Sequence, residues 1–160
     1  MKNWIIFISV FLVSLALVIS VIVLVQARSP YKTAEQVAEQ TALDEGEVVS
    51  VTDSYVYRGL TSNMTVIGKD EEGRTKAVLI PEGDSNNEVY TVLLEEGISQ
   101  EDTLNFVQSE MDVKEVLHIR LGLEEVGPVW EVSYIGTNDK LNYVYILFEN
   151  GNWWKRILNL

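Results

Sequence analysis

Residues 4–25 form an uninterrupted run of 22 residues without a charge, 19 of them apolar and three of them serine. As a helix the run rises about 33 Å at about 1.5 Å per residue, enough to cross a hydrocarbon core of about 30 Å. Val25-Gln26-Ala27 offers small or branched residues where a signal peptidase would cut. The apolar part of a cleaved signal is usually only about 7 to 15 residues, however, so the length favours an uncleaved signal-anchor. Lys2 on one side faces Arg28 and Lys32 on the other, so the positive-inside bias is close to nil and charge leaves both topologies open.

Beyond the run the chain is soluble in character. Residues 29–160 carry ten basic and 24 acidic residues, a net charge of −14. Such a surface repels phosphate backbones and anionic lipid alike, which argues against nucleic acid as a partner. With no cysteine, disulfide frameworks, thiol nucleophiles and thiolate metal sites are absent.

Ser29-Pro30 reads as a helix start, because Pro needs no donor at the first helical position. Ala34, Val37, Ala38 and Ala42 recur at helical spacing up to a stop at Gly46. A second start lies at Ser99, with Asp102 completing a capping pattern and Leu104, Val107 and Met111 following on one face. Each helix precedes a run of strand-like segments: 48–57, 63–68, 75–80 and 88–94 after the first, then 116–121, 129–135, 143–148 and 153–158 after the second. The turns at 70–73 and 137–140 superpose at an offset of about 67 residues, so the same order of elements occurs twice. The expected fold is therefore α+β: a single transmembrane helix, then two tandem units, each a helix packed on an antiparallel sheet. Units of about 60 to 70 residues are marginal for separate cores, so the two should pack together. The division expected is 1–3 as a cytoplasmic tail, 4–25 as the anchor, 29–97 as the first unit and 98–160 as the second.

The second half supplies a resemblance. It reads Glu96-Gly97-Ile98-Ser99-Gln100-Glu101-Asp102, then Val129-Trp130-Glu131-Val132-Ser133-Tyr134, then 143–148 followed by Glu149-Asn150-Gly151-Asn152-Trp153. These segments resemble a PepSY-like (cystatin-like) unit: a capped helix, a Trp/Tyr-Glu-Val strand, a hairpin and a strand ending in an acidic-x-Gly turn. The layout of a short tail, one membrane helix, Ser-Pro-Tyr-Lys and two such units is similar to the TseB (YpmB) family of Firmicute cell-wall elongation regulators. The chain departs from it in a longer loop at 82–88 and in the bulky Trp153-Trp154 pair. The resemblance implies a single-pass cell-membrane protein with its folded domain outside the cytoplasm. It also implies association with a class B penicillin-binding protein of the elongation machinery, and no catalytic activity. PepSY-like units in general suggest a second possibility, an extracytoplasmic inhibitor or sensor of a peptidase.

The residues offer little chemistry of their own. The single imidazole, His118, falls in a strand with Val116 and Arg120 on the face opposite Leu117 and Ile119, a position suited to a sheet-surface or half-buried histidine. No G-x-S-x-G, H-E-x-x-H or Gly-rich phosphate loop occurs. The carboxylate pairs Glu71/Glu72, Glu95/Glu96, Glu101/Asp102 and Glu124/Glu125 read as solvated turn and helix-end charges, since neighbours on a strand point to opposite faces and glycoside hydrolysis needs two carboxylates across a cleft. The turn at 70–73 lacks the alternating ligands of a calcium loop. Catalytic, cofactor and metal residues are accordingly expected to be none.

Aromatic residues are the more informative set. Tyr143, Tyr145 and Leu147 share one strand face while Val144, Ile146 and Phe148 share the other, so both faces are apolar and only one can meet the helix. Trp130, Val132 and Tyr134 alternate with Glu131 and Ser133, the pattern of one buried face, which predicts Trp130 between helix and sheet. Trp153 and Trp154 must point to opposite faces if extended. Core packing explains these residues, and so does an exposed patch, because tryptophan is enriched at interface hot spots. Tyr143, Tyr145, Trp153 and Trp154 are therefore the candidate partner-binding residues.

Overall fold

The computed structural model describes residues 2–82 and 89–160. It opens with one helix, α1 (Lys2–Asp44), and continues as β1 (Ser50–Arg58), β2 (Ser62–Lys69), β3 (Thr75–Pro81) and β4 (Tyr90–Leu93). A single 3-10 turn at Leu94–Glu96 leads to α2 (Gln100–Glu110), β5 (Val113–Glu124), β6 (Gly127–Gly136), β7 (Leu141–Leu147) and β8 (Trp153–Ile157). The strands form two four-stranded antiparallel meanders, β1-β2-β3-β4 and β5-β6-β7-β8. This is the expected α+β architecture. Residues 83–88, which hold most of the longer loop expected at 82–88 and the expected start of the fourth strand, lie outside the described residues.

The amino-terminal region differs from expectation in one respect. Two helices separated at Ser29-Pro30 were expected, whereas α1 passes through that point without ending. Proline cannot donate to the carbonyl four residues back, which costs about 3 kcal/mol in a helix interior. Helical sequence on both sides carries the chain across. Its segment Ile6–Leu24 is long and apolar enough to cross a membrane and is a candidate anchor. The last turns of the same helix bury Ala38 and Ala42 against Val48, just before β1, and against Met64, Val66 and Val78 of the first sheet. The helix stops at Gly46, whose φ of +70° is open to glycine at little cost.

The cap of α2 is as expected: Ser99 accepts from the Asp102 amide at 3.0 Å and donates to its carboxylate at 2.7 Å. Its buried face is shifted from the expected one, with Thr103 and Val107 inside and Leu104 half-buried. Trp130 is buried in the second unit's core with Val107, Val132 and Ile146, and its indole donates to the Ile98 carbonyl at 2.9 Å.

Ala77 and Leu79 of β3 belong to that same core. The first sheet thus has two buried faces: Met64, Val66, Val78 and Ile80 meet α1, while the alternate residues meet the second unit. The two units close one another, as their small size requires.

Candidate functional site

The alternation along β1 and β2 sets the seam between the units. In the pairings Tyr55↔Thr65 and Tyr57↔Asn63, all four side chains bond to groups of β5. Asn63 donates to the Leu123 carbonyl at 3.0 Å and accepts from the Leu123 amide at 3.3 Å. Thr65 donates to the Leu121 carbonyl at 2.8 Å, and the Leu121 amide donates to the Tyr55 hydroxyl at 3.0 Å. Thr61 also donates to the Leu123 carbonyl. β5 is an edge strand, and side chains supply the hydrogen bonds that a neighbouring strand would have made. Burial pushes the Tyr55 hydroxyl up to about 12, against the lowering effect of its bond to Leu121.

Tyr57 wraps past this edge onto the far face of the second sheet. Its ring lies where a side chain at position 122 would be: a Cβ there would stand 2.3 Å from the ring, so only glycine fits. Its hydroxyl donates to Glu124 at 2.8 Å, and the Leu60 amide donates to the same carboxylate oxygen at 2.9 Å. Glu124 is only 4% exposed, which corrects its expected place among solvated turn charges. Burial, reinforced by the Glu124 carboxylate, raises the Tyr57 hydroxyl far above the usual phenol range.

On that far face His118 stands between two groups, Ser133 Oγ at 3.0 Å from Nδ1 and Glu131 Oε1 at 3.0 Å from Nε2. The sequence pattern placed Val116 beside His118 and put Glu131 and Ser133 on an open face. Register shifts in β5 between Val113 and Glu115 and between Val116 and His118 instead turn Val116 toward the core and leave Leu117 exposed. Glu131 and Ser133 are both buried. A Ser-His-carboxylate chain suggests nucleophilic catalysis, but that chemistry requires a hydroxyl within reach of a substrate. Ser133 has none of its surface exposed, so the trio braces the sheet face and presents no accessible nucleophile. Among the described residues no cluster of His, Cys, Asp or Glu could hold a metal.

The four aromatic candidates are divided between faces. Tyr143, Tyr145 and Trp154 belong to a cluster on the far face with Tyr57, Val129, Leu147 and Ile157. Trp153 packs on the α2 side, 5.0 Å from Phe106 between ring centroids. Adjacent strand residues face opposite ways, and the register shift between Tyr145 and Ile146, which pairs Ile146 with Trp153, sets Trp153 on the α2 side and Trp154 on the far face. Tyr145 is buried, with Trp154 edge-on to it at 5.8 Å; burial and then the Glu131 carboxylate raise its hydroxyl. Tyr143, Leu147, Trp154 and Ile157 remain half-exposed.

Sequence reasoning missed Asn63, Glu124, Glu131 and Ser133. Their polar character read as surface, and only the two-residue spacing of Tyr55 and Tyr57 on one strand, and of Asn63 and Thr65 on the next, hinted at a shared polar face.

Residues 37–81 match the family described as cell wall elongation regulator TseB-like domain. A solved structure of the YpmB protein from Bacillus subtilis has the same fold, with a TM-score of 0.69 and 24% identity over 76% of this chain and 94% of that one. No curated protein matches. The family match supports, over 37–81, the TseB resemblance that the residues suggested, and the solved structure shows the shared fold.

Proposed function

We propose that this chain, carrying a TseB-like domain in its first unit, is a membrane-anchored, extracytoplasmic interaction protein that regulates cell-wall elongation by binding a class B penicillin-binding protein. The family match over 37–81 carries the reading. On it, 1–3 lies inside the cell, 4–25 spans the membrane, and 29–97 and 98–160 are the two outer units. The protein acts by contact and performs no chemistry of its own. Tyr143 and Trp154, half-exposed on the far face, touch the partner; Tyr145 and Trp153, packed beneath them and on the opposite side, hold that surface in place.

The anchor gives such contact its strength. Two proteins held in one membrane meet at raised effective concentration, so a modest interface between outer domains suffices. Replacing 4–25 by a foreign membrane helix should preserve function, while removing it should not. A reporter active only outside the cytoplasm, fused after Leu160, should be active. Co-purification from crosslinked membranes tests the partner: a transpeptidase is the expected main product, and a protease in its place would favour the peptidase-inhibitor reading and overturn this one.

A further inference from the structure

The second sheet ends in two edges that the fold treats differently. The outer edge of β5 is closed by Tyr55, Asn63 and Thr65 of the first unit. On the outer side of β8 no strand pairs among the described residues. We propose that this free edge of β8 docks an acidic, extended segment of a partner protein held in the same membrane, adding a fifth strand to the sheet. The proposal rests on the partner-binding reading above and deepens it by naming surface and chemistry.

Three observations carry it. First, β8 places two adjacent cations, Lys155 and Arg156, on a domain with 24 acidic and ten basic residues. Neither forms an ion pair with a carboxylate among the described residues; Arg156 instead lies 4.4 Å over the Trp153 ring. Second, the edge is braced from both sides of the sheet, Trp153 being packed on Phe106 and Trp154 on Tyr145. A pre-ordered edge loses little freedom when a strand is added. Third, adjacent strand residues face opposite ways, so Lys155 and Arg156 put one cation on each face. An added strand with Asp or Glu at the facing positions gains an opposite-charge pair on both.

The same arithmetic disfavours a second copy of this chain. The antiparallel pairing of two β8 edges centred on the strand sets the cations of one copy against those of the other, and like charges in facing positions are destabilising. Charged residues on an edge also serve to repel stray strands, and the experiment separates that role from docking.

A photoreactive residue is placed at Leu158, exposed one residue past β8, and in a second strain at Glu72 on the distant 70–73 turn. The full-length protein is irradiated in its own membrane. The expected product is an adduct from position 158 to a segment containing Asp or Glu. Its yield should fall about tenfold in Lys155→Glu/Arg156→Glu and recover when those acidic residues are changed to Lys. Lys155→Gln alone, which keeps the Arg156 contact with Trp153, should give an intermediate loss. An adduct indifferent to charge reversal, one formed only from position 72, or no adduct from position 158 while a transpeptidase still co-purifies, overturns docking at β8 while leaving partner binding intact. Absence of adducts from both positions, together with absence of a co-purified transpeptidase, overturns both readings.

Discussion

The carboxamide of Asn63 faces the backbone of Leu123 as a neighbouring strand would, donating to its carbonyl at 3.0 Å and accepting from its amide at 3.3 Å. One side chain thereby satisfies both main-chain groups of an edge residue sixty positions away. Asn63 is itself buried, so the pair is shielded from water, where an unmade bond is costly.

Asn63→Leu should therefore destabilise the protein by about 1 to 3 kcal/mol, since it leaves the Leu123 amide without its partner and the Leu123 carbonyl with Thr61 alone. Thermal unfolding of the full-length protein checks this. An unchanged midpoint would show that the seam does not depend on this bond.

Gly122→Ala should weaken the same seam from the other side. The added methyl meets the Tyr57 ring at 2.3 Å, so ring or strand must shift, at about 1 to 3 kcal/mol. The Gly122→Ala/Tyr57→Leu double variant should lose less than the two single variants together, which a double-mutant cycle on denaturant midpoints would measure.

Trp130→Ala removes a ring from the second unit's core and its bond to Ile98. A loss of about 3 to 5 kcal/mol is expected. Trp130→Phe keeps most of the volume and leaves the Ile98 carbonyl without its donor; it should fall between wild type and the alanine variant in melting temperature.

Alkaline pH should unfold the protein through its buried phenols. Tyr55, Tyr57 and Tyr145 all have hydroxyls raised above the usual value, by burial first. Below about pH 10 both folded and unfolded forms keep these protons and stability is unaffected. Above it the unfolded chain releases protons that the folded chain retains, so stability falls as pH rises. Tyr57→Phe should blunt that fall, read as denaturant midpoints between pH 9 and 11.5.

Acid acts on the 70–73 turn in the opposite sense. Burial of Asp70 opposes its ionisation but is outweighed by bonds from the Arg74 amide and guanidinium, which hold its carboxyl below the usual range. Its contribution is present above the unfolded value, about 3.9, and is lost as pH falls through the folded one. Asp70→Asn should therefore cost stability at pH 7 and progressively less as acid removes the charge from the wild type, as paired melts at pH 7 and pH 3 would show.

Elements written in contiguous residues were legible in the sequence alone: the uncharged 4–25 run, the Ser99 cap, the stop at Gly46, the turns at 70–73 and 137–140, and the alternation that buries Trp130. Period, cap and turn chemistry act over a few residues and leave their mark locally. Tertiary structure alone decided what covers each face. Glu124, Glu131 and Ser133 are polar, and Glu131 and Ser133 alternate with core residues as a solvent face would, yet all three are buried, because Tyr57 crosses from the other unit and His118 fills the space between Ser133 and Glu131. Asn63 to Leu123 and Tyr57 to Glu124 join residues 60 and 67 positions apart, and such pairings leave no periodic trace in the chain. The register shifts in β5 likewise move Val116 to the core face and Leu117 to the open one, and the shift in β8 decides which of Trp153 and Trp154 meets α2, each by an inserted residue. Whether a strand residue is core, seam or open surface is thus set by what the fold brings opposite it, and that partner is distant in sequence.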